Sequence, residues 1–138
     1  MKLNFFSLSI AVLLVTLTGC EKDNSVSATD QLEQIGILGK WKLEVRTVNN
    51  ITPLIIQCCD TIAFMRDNEP GDLKGEFRST GAGYETNGIF EISTVDSTIF
   101  FAWNNSQRLY EFQLSGNVLT FEYTEDEQEV SEDWYKVE

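Results

Sequence analysis

The chain has 138 residues, which suits one compact domain behind an N-terminal targeting segment. Its formal net charge of −12 and pI near 4.3 argue against nucleic acid as a partner, because phosphate binding relies on clustered lysine and arginine. Histidine is absent, so the commonest general base and transition-metal ligand occurs nowhere in the sequence, and many enzyme classes lose their usual catalytic group.

The N-terminus has the pattern of a bacterial export signal. Lys2 supplies a positive charge, and an apolar stretch of about a dozen residues follows over 5–17, shorter than the roughly 20 residues of a membrane-spanning helix. Residues 17–20, ending in Gly19 and Cys20, resemble the lipobox of bacterial lipoproteins. The resemblance implies a signal peptide over 1–19, cleavage before Cys20, and a lipid such as palmitate on the Cys20 thiol as the membrane anchor.

Residues 20–30 are rich in serine and acidic side chains and lack an apolar period, which predicts a flexible tether. Glu21 follows the lipobox cysteine, unlike the aspartate that retains lipoproteins in the inner membrane of well-studied Gram-negative bacteria. We therefore expect an outer-membrane lipoprotein of the cell envelope, whose domain faces the periplasm or the cell surface.

Residues 31–138 are predicted to form one all-β domain that opens with a short helix. Leu32, Ile35 and Leu38 recur at helical spacing over 31–38, and Asp30 precedes them as an N-cap. From Gly39 the period changes to two, which is typical of a half-buried strand. This alternation places two sets of side chains on opposite faces: Trp41, Leu43, Val45 and Thr47 against Lys42, Glu44 and Arg46.

Seven further strands are predicted at 61–66, 74–78, 88–95, 98–103, 108–114, 117–124 and 133–137. The clearest hairpin turns at Ser115, Gly116 and Asn117. Strands this short, without helices long enough for parallel crossovers, favour an antiparallel up-and-down β-barrel of about eight strands. An open two-sheet sandwich is the alternative.

Gly39, Lys40 and Trp41, at the start of the first strand, resemble the glycine-x-tryptophan signature of lipocalins. With the preceding helical turn and the following meander, residues 32–138 are similar to the lipocalin-like domain lipoproteins of Gram-negative bacteria. The resemblance implies that Trp41 closes the barrel floor. Lipocalins usually place a basic side chain of the last strand against this tryptophan, and Lys136 is the candidate here.

Few residue clusters favour chemistry. The adjacent Cys58 and Cys59 are expected to form a vicinal disulfide or to be two buried thiols, because a metal site would need more thiolates or imidazoles. Acidic residues over 67–72 and 125–133 lack the spacing of an EF-hand and are interpreted as solvated loops. No acid with a raised pKa stands out, so we predict no catalytic residues, no metal, no cofactor and no enzyme activity.

Ser97 is a candidate modification site. Residues 96–98 resemble a short O-glycosylation sequon of exported proteins in some Gram-negative bacteria, and residues 60–62 resemble it as well. A glycan requires exposed backbone, so Ser97 in a predicted turn is favoured over Thr61 near a strand start.

The barrel interior decides between two functions. Aromatic side chains are expected to point largely inward: Phe64, Phe90, Phe101, Trp103, Tyr110, Phe112, Phe121 and Tyr123. They favour a filled barrel whose function lies in mobile loops at 81–84 and 104–105.

The leading hypothesis is nevertheless a membrane-anchored, noncatalytic lipocalin-like protein that binds a small apolar or amphipathic ligand, with Tyr84, Trp103 and Tyr110 as candidate contacts. The alternative is a filled barrel acting as an interaction or inhibitor module for an envelope protein. An internal cavity favours the first, and a packed interior with an exposed apolar patch favours the second.

Overall fold

The computed structural model describes residues 30–52, 59–69 and 71–137. One short helix and eight strands follow in chain order: α1 Gln31–Ile35, β1 Gly39–Val48, β2 Thr61–Arg66, β3 Lys74–Gly81, β4 Tyr84–Ser93, β5 Thr98–Trp103, β6 Ser106–Ser115, β7 Val118–Glu125 and β8 Gln128–Lys136. The predicted signal peptide, most of the tether, and Cys20 lie outside the described residues. Within those residues, no helix has the length and apolar character needed to cross a membrane.

The strands form a closed antiparallel barrel. Each strand pairs with the next one along the chain, and β8 pairs with β1, so the sheet has no free edge. The prediction of an all-β up-and-down barrel with a short N-terminal helix is therefore confirmed, and the open sandwich is excluded.

The helix α1 is capped at both ends and is shorter than predicted. The carboxylate Oδ1 of Asp30 accepts a hydrogen bond from the Leu32 amide at 3.0 Å, as the N-cap prediction requires. Gly36 adopts a left-handed conformation with φ of 87° and ends the helix, so residues 36–38 are not helical. The turn that follows brings Ile37 into the core, where it is fully buried.

The closed end of the barrel is built around Trp41. This side chain has no exposed surface, and its Nε1 donates a hydrogen bond to the Ile37 carbonyl at 2.8 Å. The Lys136 ammonium of β8 lies 5.3 Å from the centroid of the Trp41 ring and donates to the Gly36 carbonyl at 3.0 Å. Lys136 therefore joins the last strand, the first strand and the end of α1 at one point.

The alternation predicted for β1 is wrong beyond its fifth residue, Leu43. Leu43 pairs with Trp134, but Val45 pairs with the adjacent Asp133, so the register shifts at a β-bulge around Glu44. The bulge reverses which face each later residue occupies. Arg46 therefore lines the barrel interior, although strict alternation placed it outside with Lys42 and Glu44.

Four of the connections are two-residue turns, which makes several predicted loops shorter than expected. The hairpin at Gly116 is confirmed, with this glycine at φ of 61°. Gly81 and Tyr84 pair directly as the ends of β3 and β4, so residues 81–84 form a tight hairpin instead of a loop. The acidic run over 125–133 is a turn followed by β8 and not a solvated loop.

The inward-facing aromatic side chains fill the barrel from the Trp41 end upward. Phe64, Phe90, Phe101 and Phe121 are buried as predicted. Phe64 meets Phe90 edge-on with centroids 5.0 Å apart, Phe101 meets Phe121 edge-on, and a tilted contact between Phe64 and Phe101 joins the two pairs. The remaining predicted members pack on this core while only partly buried: Trp103, Tyr110, Phe112 and Tyr123. Three of these, Trp103, Tyr110 and Tyr123, line the cavity where the packing opens.

Candidate functional site

The end of the barrel opposite α1 holds a cavity of about 330 Å³, at the lower end of the range for small-molecule pockets. We call it the mouth cavity. It is lined by Arg46, Asp60, Ile62, Phe77, Ser79, Tyr84, Thr86, Phe101, Trp103, Arg108, Tyr110, Phe121, Tyr123, Glu132 and Trp134. The expectation of a filled interior is therefore wrong at the mouth of the barrel.

The mouth cavity has an apolar floor and a polar rim. The floor consists of side chains that are almost wholly buried: Ile62, Phe77, Phe101, Phe121 and Trp134. Each of three polar residues, Ser79, Tyr123 and Glu132, lies two positions from a floor residue on the same strand and closer to the mouth. These residues also face the cavity, because side chains alternate between the faces of a strand. The cavity therefore changes from apolar to polar along the barrel axis, which suits an amphipathic molecule.

One wall of the rim is a charge network on four strands, formed by Arg108, Glu125, Arg46 and Glu132. The Arg108 Nη1 atom lies 2.8 Å from Glu125 Oε1, and the Arg46 Nη2 atom lies 3.3 Å from Glu125 Oε2. The Arg46 Nε atom lies 3.6 Å from Glu132 Oε1 and is buried without a hydrogen bond. Two positive and two negative groups alternate, so the charge network is electrically balanced.

Glu132 is the innermost charged group of this network. It is 8% exposed and accepts hydrogen bonds from the Tyr123 hydroxyl at 3.0 Å and from Trp134 Nε1 at 3.2 Å. Burial raises the pKa of the Glu132 carboxyl, and the hydrogen bonds and the Arg46 guanidinium oppose that rise. The interpretation of Glu132 as part of a solvated loop is therefore wrong. Its position two residues from Val130 and from Trp134, both buried, was the available sequence signal.

A pair of buried carboxylates would indicate acid–base chemistry. Within the part of the chain that the structure describes, Glu132 is the one charged side chain classed as buried. Asp60, the other carboxylate lining the mouth cavity, is only half-buried. The arrangement therefore gives no positive argument for catalysis.

Asp60 and Tyr84 form the opposite wall. Tyr84 is 46% exposed, and burial raises its pKa, as does the Asp60 carboxylate, whereas Ser79 lowers it. Any Cβ atom added to Gly81 would collide with both the Tyr84 ring and the Asp60 carboxylate. Glycine at this position is therefore what lets Tyr84 fold across β3 toward Asp60.

The three candidate contacts proposed from sequence all line the mouth cavity, since Tyr84, Trp103 and Tyr110 come from β4, β5 and β6. Tyr110 stacks on Tyr123 with centroids 4.3 Å apart and the planes 17° from parallel. Sequence reasoning missed the charged members of the rim. The inward orientation of Arg46 was not predicted because it depends on the bulge in β1. The other charged residues that were missed are Asp60, Arg108 and Glu132.

Other predicted sites lie away from the cavity. Ser97 is exposed in the loop between β4 and β5 with φ of 54°, which keeps it a candidate O-glycosylation site. Thr61 lies in β2 with its Oγ1 2.7 Å from Thr80 Oγ1. Cys59 is exposed, so the alternative of two buried thiols is wrong for this residue. Cys58 lies outside the described residues, and the vicinal disulfide stays a prediction. Over residues 30–52, 59–69 and 71–137, no cluster of metal-binding side chains is found.

Comparison with known protein families, with curated proteins and with solved structures gave no match to this chain. The function is therefore inferred from the residues of the mouth cavity.

Proposed function

We propose that this protein is a membrane-anchored, noncatalytic lipocalin-like barrel that binds a small amphipathic molecule in its mouth cavity. The observation that carries the proposal is a cavity of about 330 Å³ with an aromatic floor and a polar rim. Apolar surface gains free energy when it leaves water, and hydrogen-bonding groups at a rim fix the orientation of the bound molecule. Tyr84, Trp103 and Tyr110 are the proposed contacts.

The proposed anchor is a lipid on Cys20, which would place the protein at the outer membrane. Support comes from the lipobox resemblance and from the point where the described chain begins. Asp30 caps α1, and α1 packs at the closed end of the barrel through Leu32 and Gly36. The described chain therefore starts at the end of the barrel away from the mouth cavity.

Native mass spectrometry of the protein purified from its own envelope tests the ligand proposal. We expect a reproducible additional mass that disappears on denaturation. A bare mass, together with no binding of the aryl probes described below, would refute it. Metabolic labelling with a palmitate analogue tests the anchor, because a Cys20→Ala variant should lose both the label and the membrane association.

A second candidate function has its own observation. Ile89 on β4 and Leu109 on β6 are 59% and 62% exposed on the outer wall. They pair with Ala102 and Phe100 of the intervening β5, so the four residues form one apolar strip across three strands. Such a strip suits contact with an envelope protein. Co-purification of a partner that Leu109→Ser abolishes, and that Val95→Ser on an exposed turn preserves, would favour this function.

A further inference from the structure

We propose that the mouth cavity selects ligands that carry an ammonium group, held beside Asp60, with the apolar part of the ligand on the phenylalanine floor. This inference rests on the proposed function, because it requires that the cavity binds a small molecule. It adds the chemical class of the ligand and its orientation.

The charge of the rim is the first argument. The guanidinium groups of Arg46 and Arg108 are matched by the carboxylates of Glu125 and Glu132 in the charge network. Asp60 stands on the opposite wall and takes part in none of the ion pairs found among the described residues. With all five groups ionised, the rim carries one uncompensated negative charge at Asp60, which attracts a cation.

The carboxylates of Asp60 and Glu132 repel each other in the mouth cavity. Both line the mouth cavity, and only β1 separates Glu132 on β8 from Asp60, which directly precedes β2, so the charge of Asp60 acts on Glu132. Burial is the main cause that raises the pKa of the Glu132 carboxyl, and the negative charge of Asp60 adds to it. A cation placed between the two carboxylates turns this repulsion into two attractions.

The aromatic rim is the third argument. Tyr84, Trp103 and Tyr110 all line the mouth cavity together with Asp60. The face of an aromatic ring carries partial negative charge and attracts ammonium groups, and several rings around one cation increase the effect. The cavity therefore holds both kinds of group that attract an ammonium, aromatic rings and a carboxylate.

An anionic ligand fits this rim less well. Arg46 and Arg108 both contact Glu125, so a ligand carboxylate would have to displace Glu125 from each of them. It would also lie near Glu132 and Asp60, which repel it. The formal net charge of −12 adds a further unfavourable field for anions and a favourable one for cations.

Three probes with one carbon skeleton test the inference: 4-phenylbutylamine, 4-phenylbutanol and 4-phenylbutyrate. They share the apolar part and differ in the charge of the head group, and isothermal titration calorimetry on the purified protein gives each Kd. We expect the amine to bind about tenfold more tightly than the alcohol, and the carboxylate to bind most weakly. Equal binding of all three, or tighter binding of the carboxylate, would overturn the inference while leaving the ligand proposal standing.

Variants assign the selectivity to Asp60. In Asp60→Asn the affinity for the amine should fall to about that of the alcohol, while the alcohol itself should change by less than about twofold. Glu91→Gln removes one charge from the outer wall and is the matched control, which should keep the preference for the amine. If Asp60→Asn also keeps that preference, the site is assigned wrongly. If no probe binds the natural protein, the ammonium inference is overturned, and if native mass spectrometry also gives a bare mass, the proposed function itself fails.

Discussion

Replacing Arg46 with methionine is the sharpest test of the charge network. The substitution keeps most of the apolar stem and removes the guanidinium that lies 3.6 Å from the buried Glu132 carboxylate. Breaking a buried ion pair by removing one partner costs about 3–5 kcal/mol. Arg46 is about one third exposed, and this contact is longer than a hydrogen bond, so we expect a smaller loss of about 1–3 kcal/mol at neutral pH.

The loss should depend on pH. The pKa of Glu132 is higher in the folded protein than in the unfolded chain, so protonation of this carboxyl stabilises the fold. This stabilisation is complete below the pKa that Glu132 has in the unfolded chain, and it is lost as the pH rises through its pKa in the folded protein. Without the positive charge of Arg46, the pKa of Glu132 rises further. The variant should therefore recover stability on acidification more than the natural protein does.

Urea unfolding followed by tryptophan fluorescence at about pH 5.5 and about pH 8 measures both effects. Arg78→Met is the matched control, because Arg78 forms an exposed ion pair with Glu85 on the outer wall, and such pairs contribute less than about 1 kcal/mol. The reasoning is refuted if Arg46→Met costs no more than the control, or if its cost is the same at both pH values.

Two further predictions concern the floor and the mouth. Lys136→Met should lower the free energy of unfolding by about 1–2 kcal/mol, because it removes the cation over Trp41 and the hydrogen bond to the Gly36 carbonyl. Lys74→Met on the surface is the control and should have little effect in the same urea assay. The tyrosines of the mouth cavity have raised pKa values, mainly through burial, so they should ionise above the ordinary tyrosine range in an alkaline absorbance titration. Detection of all four tyrosinates at the ordinary pKa in the folded protein would contradict this.

The fold was largely predictable, because local patterns determine it. Period-two alternation and glycine or asparagine at the turns indicated short antiparallel strands, and Asp30 and Gly36 behaved as a helix cap and a helix terminator. Closure of the barrel was expected because it removes exposed strand edges, but only the pairing of β8 with β1 establishes it.

The mouth was only partly predictable. The aromatic contacts followed from alternation, since Trp103 and Tyr110 continue the inward faces of β5 and β6. The charged groups did not follow, because Glu132 stands in an acidic run whose composition is typical of a loop. The single extra residue that turns Arg46 inward has no local sequence signal.

The bulge in β1 also divides that strand into two segments whose inward-facing positions differ by one residue. Before Glu44, every second residue starting from Trp41 faces inward, at the closed end of the barrel. After Glu44, the inward positions start from Arg46, at the rim of the mouth cavity. Deleting Glu44 would remove the bulge and leave Arg46 paired with Glu132 and facing the cavity, whereas a strand that kept Glu44 in regular alternation would turn Val45 inward and Arg46 outward. The bulge at Glu44, and not the number of residues in β1, therefore determines whether Arg46 or Val45 faces the mouth cavity.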